Sequence, residues 1–581
     1  MRRTLWTVLL ALVLIVLLPL GAQAAGKKKD DPFAYSLWAM DAEIAPDDAL
    51  KSMPPELIRA VSPAEDGKFC LTIPGDWHAK KLRLFFRDKS LTINGKEIHS
   101  GDTVSLPLNK EIKFVPADGK TRTLTVCQTG GVPVLWMTTE SGNETYIEAI
   151  KGNQEPGWLR YVETDGKVAY EGKLTHIRCR GNSTFKFVKK PYQIKLSRSA
   201  SLSGMKKDRT WILLANVVDR TGIRNEIGLD IARYCGVWKY VPSYQAVDVY
   251  LNHDYKGAYL LCEKVEIDSE RLDITDLEEA TEKLNGDLVF SGLPVKGDEK
   301  PSQGARKYYE IPKEPNDITG GYLVKTESTQ RYVSERSAFI TKKGQNFVMQ
   351  SPTYPSAAQI NYIADLIQSI ESAIYSSNGV DKATGRHFTE MIDLTTFAYR
   401  YVLGEVTDDL DGARGYFYKD ADSIDPMVYV GPIWDLDYTW GARHTRRDPK
   451  KVNIYRTISP DYIWYSKVYK NSQFREAADK AYRKKFAPAL AILLGEKKDP
   501  TGTLKTIDEY AAEVRTSQRC DAVRWPYDYI WKQYPQLNKA TGNTFDGQVE
   551  YLRDYITQRI PALNRHFGLE DKKNETQKTK K

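Results

Sequence analysis

Two aspartate-bearing stretches could carry chemistry: TDDLDGARG at 407–415 and GPIWDLDYTWG at 431–441. In the second, Asp435 and Asp437 alternate with Trp434, Leu436 and Tyr438, neighbours whose types predict burial. A buried carboxylate needs a basic side chain or a bound cation to offset its desolvation. Asp411 ends a loop directly after a long apolar-periodic segment, and Gly412 frees the backbone beside it. Carboxylates from two places, with no His or Cys among them, suit a hard divalent ion such as Mg²⁺ or Mn²⁺. Asp408 and Asp409 read as ordinary loop acids.

Two basic stretches lie upstream. In IRCRGNSTFKFVKKPYQIKL, the run Arg180, Gly181, Asn182, Ser183 and Thr184 offers small residues, hydroxyls and backbone N–H groups, flanked by Lys186, Lys189 and Lys190. Such a turn can cradle an anion, although read alone it is merely a hairpin turn. After Pro191 the alternation of Tyr192 and Ile194 with Gln193 and Lys195 puts the polar pair on one face of a strand. In RTGIRNEIGLD, Arg224 and Glu226 sit near a helix start, where an acid answers the dipole and an arginine can reach a phosphate or carboxylate. A strand lysine, an acid after a helix and an acid after a later strand match the parts needed for phosphoryl transfer. A metal-dependent hydrolase could use the same acids.

These residues need a scaffold. Short alternating stretches such as KFCLTI, KLRLFF, KSLTI and RTLTV, separated by turn residues, predict a small antiparallel β-domain over 32–130. Strands follow over 135–195, then a helix over Gly222–Tyr234 and two strands, AVDVYLN and GAYLLCEKV, joined through HDYKG. The segment 276–318 reads as a long surface insertion, and Asp393 as the N-cap of a long helix. Amphipathic helices are expected at 472–494, 503–519 and 545–566. The order predicts an α+β fold in which a sheet lobe is followed by a helical lobe.

The chain opens with two arginines, an apolar run and A-Q-A, a secretory signal with expected cleavage after Ala24. The mature chain is then exported, to the cell envelope or beyond, with no later stretch long enough to cross a membrane. A formal charge of +8 from 84 basic and 76 acidic residues is small for 581 residues and does not mark a nucleic-acid binder. The lysine-rich tail 569–581 is expected to be solvated. Of six cysteines, none in a CxxC pair, Cys70 and Cys127 lie in one small region and are the expected bridge.

RGNST-x8-Y-x-IKL, SLSGMKKDRTWILLANVVDRTGIRN, VDVYLN-x4-GAYLLCEKVEID, GGYLVKTE and GPIWDLDYTWG occur in this order. In these motifs the chain, over 133–568, resembles the CotH family, the spore-coat-protein-H-like atypical protein kinases. The resemblance implies a kinase-like fold, ATP with Mg²⁺ or Mn²⁺, and transfer of phosphate to serine on an exported or surface protein. It implies Lys195 as the strand lysine on the ATP phosphates with Glu226 as its partner, Arg224 nearby, and Arg180 with Gly181, Asn182 and Ser183 covering the phosphates. Asp411 would accept the hydroxyl proton, and Asp435 would bind metal with Asp437 in support. Family members often carry an Asn ahead of the Y-x-Y-x-D strand; here Gly415 stands near that place. The alternative is a catalytically inactive surface binding or adhesion protein on the same scaffold.

Overall fold

The computed structural model describes residues 37–44, 57–65, 67–409, 415–442, 448–452, 464–535, 537 and 542–569. The expected leader, the tail beyond 569 and Asp411 lie outside the described residues. The fold is mixed α+β with an all-β N-terminal region. It divides into two compact units: Met1–Ile223 with Ser243–Lys264 and Glu509–Val549, and Arg224–Pro242 with Val265–Asp508 and Glu550–Lys581.

In the first unit the four alternating stretches all become strands, distributed over a four-stranded and a six-stranded sheet. Leu37, Leu71, Leu84, Ile112 and Leu124, drawn from both sheets, bury their side chains in one core. One expectation fails: Lys68–Ile73 and Arg122–Gln128 pair in parallel, in a sheet whose other pairs are antiparallel. That register sets Cys70 opposite Thr125, and Cys127 opposite Thr72. All six cysteines are buried thiols, so the expected Cys70–Cys127 bridge is not present.

After the sandwich comes a closed barrel of seven strands. Its seam is the parallel pairing of Val134–Thr139 with Tyr244–Leu251. Leu174, Ile194, Leu196 and Leu213 are buried to 1% exposure or less, which is why these strands show such strict alternation. The hairpin between Tyr244–Leu251 and Asp254–Glu263 turns at Asn252 and His253, both at positive φ, rather than through HDYKG. Gly257 instead lies inside the strand, where a Cβ would stand 2.2 Å from the Asp521 carboxylate.

Asp521 belongs to the helix Ile507–Arg524, which packs on the barrel through polar side chains. Asp521 pairs with Lys189 at 2.6 Å and with Arg220 at 3.4 Å, and accepts the Ala258 N–H at 3.1 Å. One turn earlier Ser517 donates to Asp248 at 2.8 Å, and Tyr255 donates to the same carboxylate at 2.7 Å. Arg524 donates to the Pro63 carbonyl and to Asp254, so this helix ties the sandwich to the barrel.

The second unit departs from a purely helical lobe. It contains its own seven-stranded sheet, running from Lys296–Gly297 through Tyr322–Glu327 to Tyr416–Lys419 and Val428–Val430. The supposed insertion 276–318 contributes the helix Leu277–Leu284 and two strands of that sheet. Lys307 is 7% exposed there, its ammonium donating to the carbonyls of Tyr332 and Val333 at 2.9 and 3.1 Å. Asp393 caps the helix Leu394–Thr407 through the Thr396 N–H at 2.6 Å, as expected. The expected C-terminal helices form as Ser472–Ala481, Ala487–Leu493, Ile507–Arg524 and Phe545–His566. Among the described residues no helix is long and apolar enough to cross a membrane.

Burial pushes the Asp248 carboxyl up from 3.8 to about 7, against the two hydroxyls that favour its ionised form. Between those values the folded chain keeps a proton that the unfolded chain has released. The stability that Asp248 contributes therefore falls as pH rises from 3.8 to about 7, and is level above. Asp248→Asn should gain on the parent across that window, read as the difference in urea midpoint at each pH. A difference independent of pH would remove Asp248 as the source.

Candidate functional site

The WDLD loop resolves its own paradox by its backbone. The strand Val428–Val430 leads into it, and Ile433, Leu436 and Trp440 are buried to 2% or less. Asp435 is exposed and Asp437 half-buried, contrary to the burial expected of both. Asp435 has φ +68°, a left-handed conformation that costs an L-residue on the order of 1 kcal/mol but that aspartate tolerates best after Gly and Asn. That single twist lets Leu436 enter the core while the carboxylate one residue earlier faces water. Asp435 is presented to solvent rather than buried.

What presents it is the helix Arg224–Cys235. Asn225, 3% exposed, accepts the Leu436 N–H on Oδ1 at 2.7 Å. Arg224, 1% exposed, donates from Nε to the Thr439 carbonyl at 3.1 Å and from Nη2 to the Trp440 carbonyl at 3.5 Å. These bonds give Arg224 a task other than the phosphate contact expected of it: it fixes the chain that follows Asp435 and Asp437. Thr439 closes the turn by donating to the Leu436 carbonyl at 2.6 Å. Gly228 completes the seat, because a Cβ there would stand 2.2 Å from Leu436 Cδ1. Glu226 is buried in the first turn of the same helix.

The acids dismissed as ordinary are the deeply buried ones. Asp408 and Asp409 are 3% and 1% exposed. Asp409 pairs with Arg400 at 2.7 Å. Asp408 accepts the Tyr555 hydroxyl at 2.5 Å and lies 3.5 Å from Arg559, which also donates to the Glu405 carbonyl at 2.7 Å. With Asp408 left-handed at φ +52°, the helix Leu394–Thr407 is stopped and locked at the point where the chain heads toward Asp411. The Trp440 N–H donates to the Thr407 carbonyl at 2.6 Å, joining this helix end to the WDLD loop.

In the other unit, Lys195 is half-buried on the strand Tyr192–Ala200, with His176 and Thr210 opposite it on the two neighbouring strands. Arg178, in register with Gln193, donates to its side chain at 2.9 Å on the same face. Burial first, then the charges of Arg178 and Lys195, push the His176 imidazole down to about 4, so it is neutral at pH 7. The positive character of this face therefore rests on Lys195 and Arg178.

Beyond this strand end the RGNST turn is held by the Arg180 N–H on the Pro191 carbonyl at 3.0 Å. Gly181 has φ +91°, and a Cβ there would meet Thr184 Oγ1 at 2.0 Å, so only glycine fits. Asn182 and Ser183 are exposed, and Lys151 donates to Asn182 Oδ1 at 2.8 Å. Lys189 is removed from any anion cradle by its buried pairing with Asp521.

Sequence reasoning missed Asn225, Thr439 and Gly228. A signal was present: Asn and Gly early in RNEIG are poor helix formers in a stretch otherwise apolar at helical spacing. Each is there for a contact the helix makes rather than for the helix. Among the described residues no group of three or more His, Cys, Asp or Glu could hold a metal ion.

A family model described as CotH kinase protein matches residues 177–563, about two-thirds of the chain. No curated protein matches it.

The seat of the loop can be tested at Gly228. In an open helix Gly→Ala stabilises by about 1 kcal/mol. Here the added methyl meets Leu436, and overpacking of this kind costs about 1–3 kcal/mol. Gly228→Ala should lower the urea midpoint, and Leu436→Ala in the same chain should absorb much of that loss, giving a non-additive cycle. A stabilised Gly228→Ala would show that the helix and loop do not touch as described.

Proposed function

Since the chain belongs to the CotH kinase protein family, we propose that it is an exported protein kinase that transfers the γ-phosphate of ATP to serine of secreted or surface proteins, with Mg²⁺ or Mn²⁺. The observation that carries this reading is Asp435: an exposed carboxylate in a left-handed conformation, on a loop pinned by buried Arg224 and Asn225. Exposure of the acid together with a strained backbone held by buried neighbours is what supports a working role for it. A kinase-like fold, with the barrel strands and the Asp-rich segments in the roles of its two lobes, belongs to the same proposal.

Asp435, supported by Asp437, would hold the divalent ion, whose contribution when bound is to neutralise charge on the phosphate oxygens. Lys195 would contact the ATP phosphates with Glu226 orienting it, and Arg180 with the backbone of Gly181, Asn182 and Ser183 would cover them. Arg178 adds a second cation beside Lys195. Asp411 would take the proton from the serine hydroxyl as its oxygen bonds to the γ-phosphorus and the bond to ADP breaks. Gly415 brings no side chain to the place where relatives often carry Asn, and its backbone is committed to Thr326 by two bonds of 3.0 Å. The proposal therefore rests on the Asp435 and Asp437 pair for metal.

The test is labelled-phosphate transfer and intact mass for the chain lacking residues 1–24, with ATP, Mg²⁺ or Mn²⁺ and a serine-rich acceptor. Asp435→Asn should lose about 100-fold or more in turnover, a typical loss when charge stabilisation is removed. Glu226→Gln should lose less if it only orients Lys195. Undiminished activity in both variants would sink the site assignment. Absence of transfer and of any thermal shift with ATP and metal would favour a binding protein on a kinase scaffold.

A further inference from the structure

The cysteines were not absorbed by the site. Along Arg122–Gln128, Leu124 and Val126 enter the sandwich core, so Thr125 and Cys127 face the other way. On that side Cys127 is buried in a cluster with Trp136, Tyr250, Tyr255 and Cys520. Cys520 comes from the helix Ile507–Arg524, far away in sequence. Its thiol donates to the carbonyl of Gln128, the residue after Cys127, at 3.4 Å. Cys70 is on the same face of the neighbouring strand, but in register with Thr125, two residues short of Cys127.

We propose that Cys127 and Cys520 close a disulfide in the mature protein, fastening the helix Ile507–Arg524 to the last strand of the sandwich. The helix is already held against the same sheet by Arg524 on the Pro63 carbonyl, and against the strand end by Cys520 on the Gln128 carbonyl, so the two elements are docked before the bond forms. The oxidant is another disulfide, small-molecule or protein-borne. One cysteine thiolate attacks a sulfur of that disulfide and releases a thiolate; the second then displaces the other half. One S–S bond forms, two thiol protons and two electrons leave the chain, and the oxidant departs as two thiols. Both thiols are buried in the finished fold, so the bond closes as the helix docks. Its loop spans most of the chain, the situation in which a cross-link restricts the unfolded ensemble most. In the cell the bond rests on the export reading, because only an oxidising compartment preserves it.

The experiment supplies its own oxidant and so is independent of export and of kinase activity. The full chain is reduced, refolded in a glutathione redox buffer, alkylated, digested without reduction and mapped by mass. The expected result is a linked pair of peptides carrying Cys127 and Cys520, lost on dithiothreitol, with a thermal midpoint that drops by several degrees on reduction. Cys520→Ser should abolish both the linked pair and the sensitivity of the midpoint to reductant. A Cys70–Cys127 link, six alkylated cysteines, or a Cys520→Ser chain whose midpoint still responds to reductant would overturn the proposal.

Discussion

Asp521 is the carboxylate on which the first unit depends. It sits 2% exposed between Lys189 and Arg220, on a helix reached only after most of the chain has been laid down. Removing one partner from such a buried group leaves an unpaired charge and costs about 3–5 kcal/mol, far more than its surface counterpart. Both cations come from segments that flank the expected phosphate-binding parts: Lys189 just after the RGNST turn, Arg220 just before the helix that seats the WDLD loop. Lys189 also donates to the Ala258 carbonyl at 2.5 Å, and Arg220 to the Trp525 carbonyl at 2.7 Å. Electrostatics that look like a ligand site in the sequence serve here to make a distant helix part of the barrel.

The second unit uses the same device. Arg559 reaches Glu405 and Asp408, and Arg400 reaches Asp409, so the end of the helix Leu394–Thr407 is nailed by arginines from inside and outside its own span. Arg224 does for the WDLD loop what Arg559 does for the helix end. In both, a buried guanidinium satisfies carbonyls or carboxylates that a turning backbone would leave without partners, which is what its planar fork of donors does best.

How far the sequence revealed this depends on the range of each interaction. Period-two and period-3.6 patterns gave the sandwich strands, the barrel strands and the C-terminal helices, because burial of one face is a local property. The capping role of Asp393 was local as well. Burial of individual acids was misjudged in opposite directions: Asp435 from its apolar neighbours, Asp408 and Asp409 from their loop composition. Neither error was avoidable from spacing, since Asp435 is turned outward by one positive φ and the other two are neutralised by Arg400 and Arg559. The parallel pairing of the two cysteine strands, and with it the partner of Cys127, was hidden for the same reason: register between distant strands leaves no periodic mark.

The same division explains why the candidate site is readable at all. Groups proposed to act on a ligand need solvent access, and here Asp435 and the RGNST turn are surrounded by buried groups that hold them. Asp435 is carried by Leu436, Asn225 and Arg224; the RGNST turn by Gly181, Thr184 and the Pro191 carbonyl. Motifs as long as WDLDYTWG and RTGIRNEIG are needed because the presented residue and its supports are neighbours in sequence, each with its own steric or hydrogen-bonding requirement. Arg224 and Asn225 keep the backbone after Asp435 from relaxing, so its left-handed conformation is maintained without help from the carboxylate. That leaves both carboxylate oxygens available to whatever approaches from solvent.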